Sequence, residues 1–178
     1  MGIKQIGDRM IECDWIPELE ICNDLSKFNG YEEYIYKIFR NDFINSYPCF
    51  DGKRVNIRRE PIEYGKEEAF FHVTCQDYAR NRQRDPDLRR CERIRWVRSF
   101  IENYNCDNSI CGFCDGVKVW DELYRNNNLR THIFLEEERY LVVVEKRPTY
   151  CLLITAFYFD QEHRLRKILE RYNKAVSA

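Results

Sequence analysis

Residues 139–172, RYLVVVEKRPTYCLLITAFYFDQEHRLRKILERY, decide the fold. Two hydrophobic runs, 140–146 and 150–160, flank the polar link Arg147-Pro148-Thr149, and an amphipathic stretch follows at once. Runs of this length, rich in β-branched and aromatic residues and joined by a short turn, read as neighbouring antiparallel strands. Across 161–174, Leu165, Ile168, Leu169 and Tyr172 recur at i, i+3, i+4 and i+7, which predicts a helix with one apolar face. Working upstream, 131–136 and 117–124 have the same strand character. Their links, Glu137-Glu138-Arg139 and Arg125-Asn126-Asn127-Asn128, are again short and polar. Four strands therefore form an antiparallel meander that a final helix closes.

The first half of the chain is patterned differently. Residues 1–29 are mixed in character and read as an irregular lead-in. In 31–45, Tyr34, Ile35, Ile38 and Phe39 share a helical face, and Glu32 and Glu33 suit the positive end of the helix dipole. Asn29-Gly30 is a start signal and Pro48 marks an end. Asp51-Gly52 reads as a turn into a strand at 55–59. Residues 69–74 read as a short strand with Phe70, His72 and Thr74 on one face, and 76–86 as a polar loop or frayed helix. Residues 87–104 form one helix opened by Asp87, and 103–116 a cysteine-bearing loop. Helices followed by a meander and a closing helix describe an α+β fold. The expected architecture is a single domain over 30–178, with helices packed on a four-stranded or slightly larger antiparallel sheet.

Composition narrows the function classes. A chain of 178 residues suits one domain with a real core, and 15% aromatics argues against disorder. No apolar run approaches the ~20 residues that span a bilayer, and the first residues lack the apolar stretch of a secretory signal. Cytoplasmic residence is the expectation, with no membrane partner. Nine irregularly spaced cysteines then read as reduced thiols. A net charge of −1 excludes nucleic-acid binding by overall basicity. Residues 80–98 nevertheless carry eight arginines against Asp85, Asp87 and Glu92, enough for a local anion site.

Several residues are candidates for chemistry. On the helix at 87–104, Arg90 and Arg93 share an arc with Ile94, Val97 and Ile101. An inward guanidinium must be paired or bind an anion, because a buried lone charge is costly. A salt bridge to the sheet, or a stem lying on apolar surface, is the structural alternative. His72 has an ordinary pKa of about 6.5, suited to proton transfer near neutrality. His132 is the other strand histidine, and His163 reads as a surface residue. Thr155 alternates with Leu153 and Phe157 on one strand face, with Tyr158 on the other. A buried threonine ordinarily bonds to backbone. Cys106, Cys111 and Cys114 form a C-x4-C-x2-C group whose thiolates could hold a structural zinc, completed by Cys91 or His132. Unliganded thiols and a redox pair remain the alternatives.

Three blocks in order are Phe70-Phe71-His72-Val73-Thr74, the run DPDLRRCERIRWV at 85–97, and the strand pair from Tyr140 through Tyr158 with its closing helix. Together, over about residues 50–175, they resemble the phage-type branch of the barnase–EndoU–colicin–RelE-like nuclease superfamily. The resemblance implies a helix-on-sheet α+β fold and an endoribonuclease that needs no metal or other cofactor for catalysis. It implies His72 as general acid or base, Arg93 with Arg90 at the phosphate, Thr155 positioning the phosphate and Tyr158 orienting the nucleotide. Lys146 and Arg147 would hold flanking phosphates. It further implies toxin-like action on tRNA or mRNA, with an antitoxin or immunity protein as partner. A non-catalytic module of the same fold, binding nucleic acid or protein and stabilised by zinc, is the alternative. The sequence has no tight acidic cluster suited to a two-metal nuclease.

Overall fold

The computed structural model describes residues 3–6, 9–107, 109, 112 and 114–178. Strands β1 (Ile3–Ile6) and β2 (Arg9–Glu12) pair antiparallel as a separate two-stranded ladder, within the stretch expected to be irregular. The rest of that stretch is anchored rather than loose. Ile16 is 6% exposed, Trp15 sits edge-on to Phe100 at 5.1 Å, and Trp96 Nε1 donates to the Pro17 carbonyl at 2.9 Å.

Helix α1 (Phe28–Phe43) buries Ile35, Ile38 and Phe39 of the expected stripe together with Tyr36 and Phe43, whereas Tyr34 is 46% exposed and donates to Glu20. Strands β3 (Cys49–Phe50) and β4 (Lys53–Asn56) form a hairpin about Asp51-Gly52. Both turn residues have positive φ, 50° and 72°, which is why glycine follows aspartate there. Helices α2 (Glu68–Thr74), α3 (Tyr78–Asn81), α4 (Leu88–Glu92) and α5 (Ile94–Glu102) come next. The meander is β5 (Lys118–Leu123), β6 (Leu129–Leu135), β7 (Tyr140–Lys146) and β8 (Cys151–Tyr158), closed by α6 (Glu162–Val176).

The chain is thus α+β, but its sheet is larger and mixed. Six strands run in the order β3-β4-β8-β7-β6-β5. The last four are the expected antiparallel meander. The β3–β4 hairpin adds to it through a parallel pairing of Val55 with Cys151 and Asn56 with Leu152. The purely antiparallel expectation fails because the long connection through α2–α5 and then β5–β7 brings β8 back alongside β4 in the same direction, as parallel neighbours require.

Both faces of the sheet are covered. One packs against α1, α2 and α5 through residues such as Phe39, Phe70, Val97, Val142 and Val144. The other lies under α6 and includes Trp120, Phe134, Leu141, Val143 and Ile168. Burial on both sides is why β7 reads as an unbroken Leu-Val-Val-Val run. Among the described residues, no helix is long and apolar enough to cross a membrane.

Two element expectations are corrected. Residues 69–74 are helical, not a strand. Ala69, Phe70, Phe71, Val73 and Thr74 are all buried, so packing on several sides erases the helical period and leaves an accidental alternation. The helical signals are local: Thr74 Oγ1 donates to the Phe70 carbonyl at 2.7 Å, and Glu68 meets His72 one turn on. The single helix expected over 87–104 is two. Its backbone leaves helical geometry at Arg93 (φ −98°, ψ 19°).

Candidate functional site in the groove beside His72

Thr155 reaches the site because β8 carries a bulge. Val143 pairs with Thr155 but Val144 pairs with Leu153, leaving Ile154 as the extra residue. Leu153 and Ala156 therefore both face the larger core, while Ile154, Thr155 and Phe157 share the opposite side. The expected partnership of Thr155 with Leu153 on one face fails for this reason. Tyr158 does lie on the other face, against the Arg93 guanidinium at 4.1 Å.

Beyond Leu152, β8 has no strand partner on its β4 side among the described residues, and α2 packs there instead. The Thr155 hydroxyl donates to the His72 carbonyl at 3.1 Å. That carbonyl belongs to the last turn of α2. The amide that would have served it, on Gln76, donates to Asp85 instead. Thr155 thus satisfies an orphan acceptor of a helix end and locks α2 to the sheet. Its only hydrogen is committed, so toward a ligand it offers lone pairs and not a donor.

His72 is 12% exposed in its side chain. Its Nε2 lies 3.4 Å from Glu68 Oε1, and its ring meets Tyr78 edge-on at 5.2 Å. A carboxylate accepts, so Nε2 carries the hydrogen and the basic lone pair of the neutral ring is on Nδ1. Burial lowers the His72 pKa from its ordinary 6.5. Glu68 opposes that fall, and the Arg58 and Arg82 charges add to it. Glu68 is 2% exposed and is gripped by Arg82 at 2.6 Å and by Arg58 at 3.6 Å.

His72 and Thr155 together wall two adjoining cavities. One, of about 340 Å³, adds Arg58, Tyr124, Arg130 and Ile154. The other, of about 260 Å³, adds Arg90, Phe157 and Arg164. Arg90, not Arg93, is the arginine brought to this groove. Its NH1 donates to the Cys75 carbonyl at 3.0 Å, its Nε lies 3.7 Å from Asp87, and burial lowers its pKa. Arg93 sits at the helix break, donates to its own chain at the Arg89 carbonyl (2.9 Å), and stacks on Trp96 and Tyr158. Tyr158 lines a third, mixed-charge cavity with Arg89, Arg90 and Arg164.

Lys146 and Arg147 lie at the far end of β7. Lys146 pairs with Asp121 at 2.8 Å and lines a separate cavity, and Arg147 pairs with Glu145 at 2.5 Å. The structure does not bring them to His72. Of the cysteine group, Cys111 lies outside the described residues. Cys106 Sγ donates to the Asp107 carbonyl, and Cys114 Sγ accepts from the Gly116 amide at 3.3 Å. Cys91 is in the core, and His132 is under α6 with Trp120. Among the described residues no three His, Cys, Asp or Glu side chains are grouped to hold a metal.

Glu68, Arg58 and Arg130 were not legible as site residues. The spacing of Glu68 and His72, one helical turn, would have paired them had 69–74 been read as a helix. Comparison with family models, curated proteins and solved structures returns no match. The chemistry therefore rests on this α+β scaffold and its arginine-walled groove.

Proposed function

We propose that this protein is a metal-independent endoribonuclease with His72 as its general base. The observation that carries the reading is the buried Glu68–His72 pair opening on a groove walled by Arg58, Arg90 and Arg130. The resemblance to the RelE-like nucleases points the same way. With its pKa lowered, His72 is neutral at physiological pH and able to take a proton. It removes the ribose 2′-OH proton, and the 2′-oxygen attacks the adjacent phosphorus. The bond to the 5′-oxygen breaks, and that oxygen takes a proton from water. The products are a 2′,3′-cyclic phosphate and a 5′-hydroxyl. Glu68 steadies the imidazolium that forms, and Arg90 neutralises the crowded phosphorane. Thr155 is a positioning residue that fixes the end of α2 carrying His72.

The test is incubation of purified protein with total RNA in excess chelator, with end-group analysis, beside His72→Asn and Glu68→Gln. Cyclic-phosphate ends from wild type, lost in His72→Asn, are the expected result. Intact RNA, or equal cleavage by His72→Asn, overturns the reading. A second reading is a non-catalytic RNA-binding module. It is favoured by the fact that Arg58, Arg82, Arg90 and Arg130 each already hold a protein partner. Salt-sensitive RNA binding without cleavage would decide for it.

A further inference from the structure

The groove beside His72 continues under α6 into a cavity of about 350 Å³ that the proposed cleavage step does not use. It shares Tyr124, Arg130, Ile154 and Thr155 with the His72 cavity, so one ligand can occupy both. The bulge at Ile154 puts Ile154 and Thr155 side by side along this shared wall. The character of the wall changes here. Leu141, Val143, Ile154 and Phe157 make it apolar, and the Tyr124 ring forms its rim with the Arg130 guanidinium 3.4 Å from the ring centre. The volume is near the lower limit of about 300 Å³ for small-molecule pockets, which suits one planar ring and not a folded chain.

Its polar end is a single ion pair. Arg171 Nε and NH2 donate to the two Glu122 oxygens at 2.9 and 2.7 Å, and Trp120 Nε1 donates to Glu122 Oε1 at 2.8 Å. Arg171 NH2 also reaches His132 Nε2 at 3.0 Å. This ion pair leaves two hydrogen-bonding functions over, the NH1 donors of Arg171 and the second lone pair of Glu122 Oε2, and the buried His132 Nδ1 beside it also lacks a partner among the described residues. A second phosphate would meet the Glu122 carboxylate and be repelled. A flat ring with an acceptor beside a donor on its edge would satisfy both functions and bury its faces against the apolar wall.

We propose that this cavity is a nucleobase pocket, holding the base next to the phosphate at His72 and setting sequence preference. The inference rests on the nucleolytic reading for which phosphate lies at His72, but the pocket is tested separately. RNA oligomers differing only at the base 5′ of the cut would be cleaved by wild type, Glu122→Gln and Tyr124→Ala. Tyr124 is 44% exposed, so its truncation leaves the fold intact. Wild type should prefer one base by at least about tenfold, and both variants should reduce that preference mainly by raising KM. Cleavage without base preference, or variants that keep the wild-type preference and KM, overturns the pocket and leaves the nuclease standing. If no RNA is cut, titration with the four nucleoside 3′-monophosphates decides. Binding kept in His72→Asn and lost in Tyr124→Ala supports the pocket while the nuclease falls. Equal binding by all proteins, or none, overturns it.

Discussion

Acidification should destabilise the fold through His132, and the size of the effect follows from its surroundings. The ring is 5% exposed and stacks on Trp120 at 4.8 Å and 14°. Its Nε2 faces a guanidinium nitrogen of Arg171 at 3.0 Å, a contact that needs a lone pair and so a neutral imidazole. Burial is the main cause that pushes its pKa down from 6.5 to about 4. The Arg171 and Arg130 charges push the same way, and Glu122 opposes them. Below pH 6.5 the unfolded chain takes up a proton that the folded chain refuses until about pH 4. The stability held by neutral His132 is therefore fully present above 6.5 and lost as pH falls through that window. At about 1.4 kcal/mol per pH unit the whole loss is about 3 kcal/mol, of which about 2 has gone by pH 5. His132→Gln keeps a polar side chain but cannot titrate. Urea unfolding followed by circular dichroism at pH 7.5, 6.5, 5.5 and 5 would be compared for the two proteins. Asp42, whose carboxyl burial raises to about 6, titrates in the same range, but it does so in both proteins and cancels in the difference. Wild type should lose about 2 kcal/mol more than the variant between pH 7.5 and 5. Equal losses would refute the account of a buried, neutral His132.

The acid limb of kcat/KM for RNA cleavage should have its inflection below pH 6.5, since burial lowers His72 and only the neutral ring is a base. In Glu68→Gln it should move lower still, because the opposing charge is gone. Thr155→Val keeps the shape but strands the His72 carbonyl. It should lose about 1–2 kcal/mol in thermal unfolding and slow cleavage, and Thr155→Ser should restore both. Arg90→Lys should reduce kcat by about tenfold or more. Arg93→Lys should lower stability through its lost stacking on Tyr158 and Trp96 and leave kcat within about twofold.

Much of the scaffold is legible in the chain. The β5–β8 meander and α6 follow from strand-like runs joined by three- and four-residue polar links, which leave no room for any other order. The α+β character, the α1 stripe and the Asp51-Gly52 turn are local signals of the same kind. His72 and Thr155 could be named as candidates, and the structure brings them together.

The elements that can be read from the chain alone are those whose signals lie within a few residues of one another. The tertiary structure decided the rest, because each remaining feature depends on a partner far away in the chain. Phe70-Phe71-His72-Val73-Thr74 became a helix because its surroundings bury it on several sides, which hides the helical period. The antiparallel meander became a mixed sheet because β4 docks on β8 from about a hundred residues away. A one-residue bulge at Ile154, set by pairing with β7, decided that Thr155 faces the groove and Leu153 the core. The helix break at Arg93 and the Cys75 carbonyl decided that Arg90 reaches the groove in its place. Side-chain direction is a property of register and packing, and residue spacing alone does not carry it.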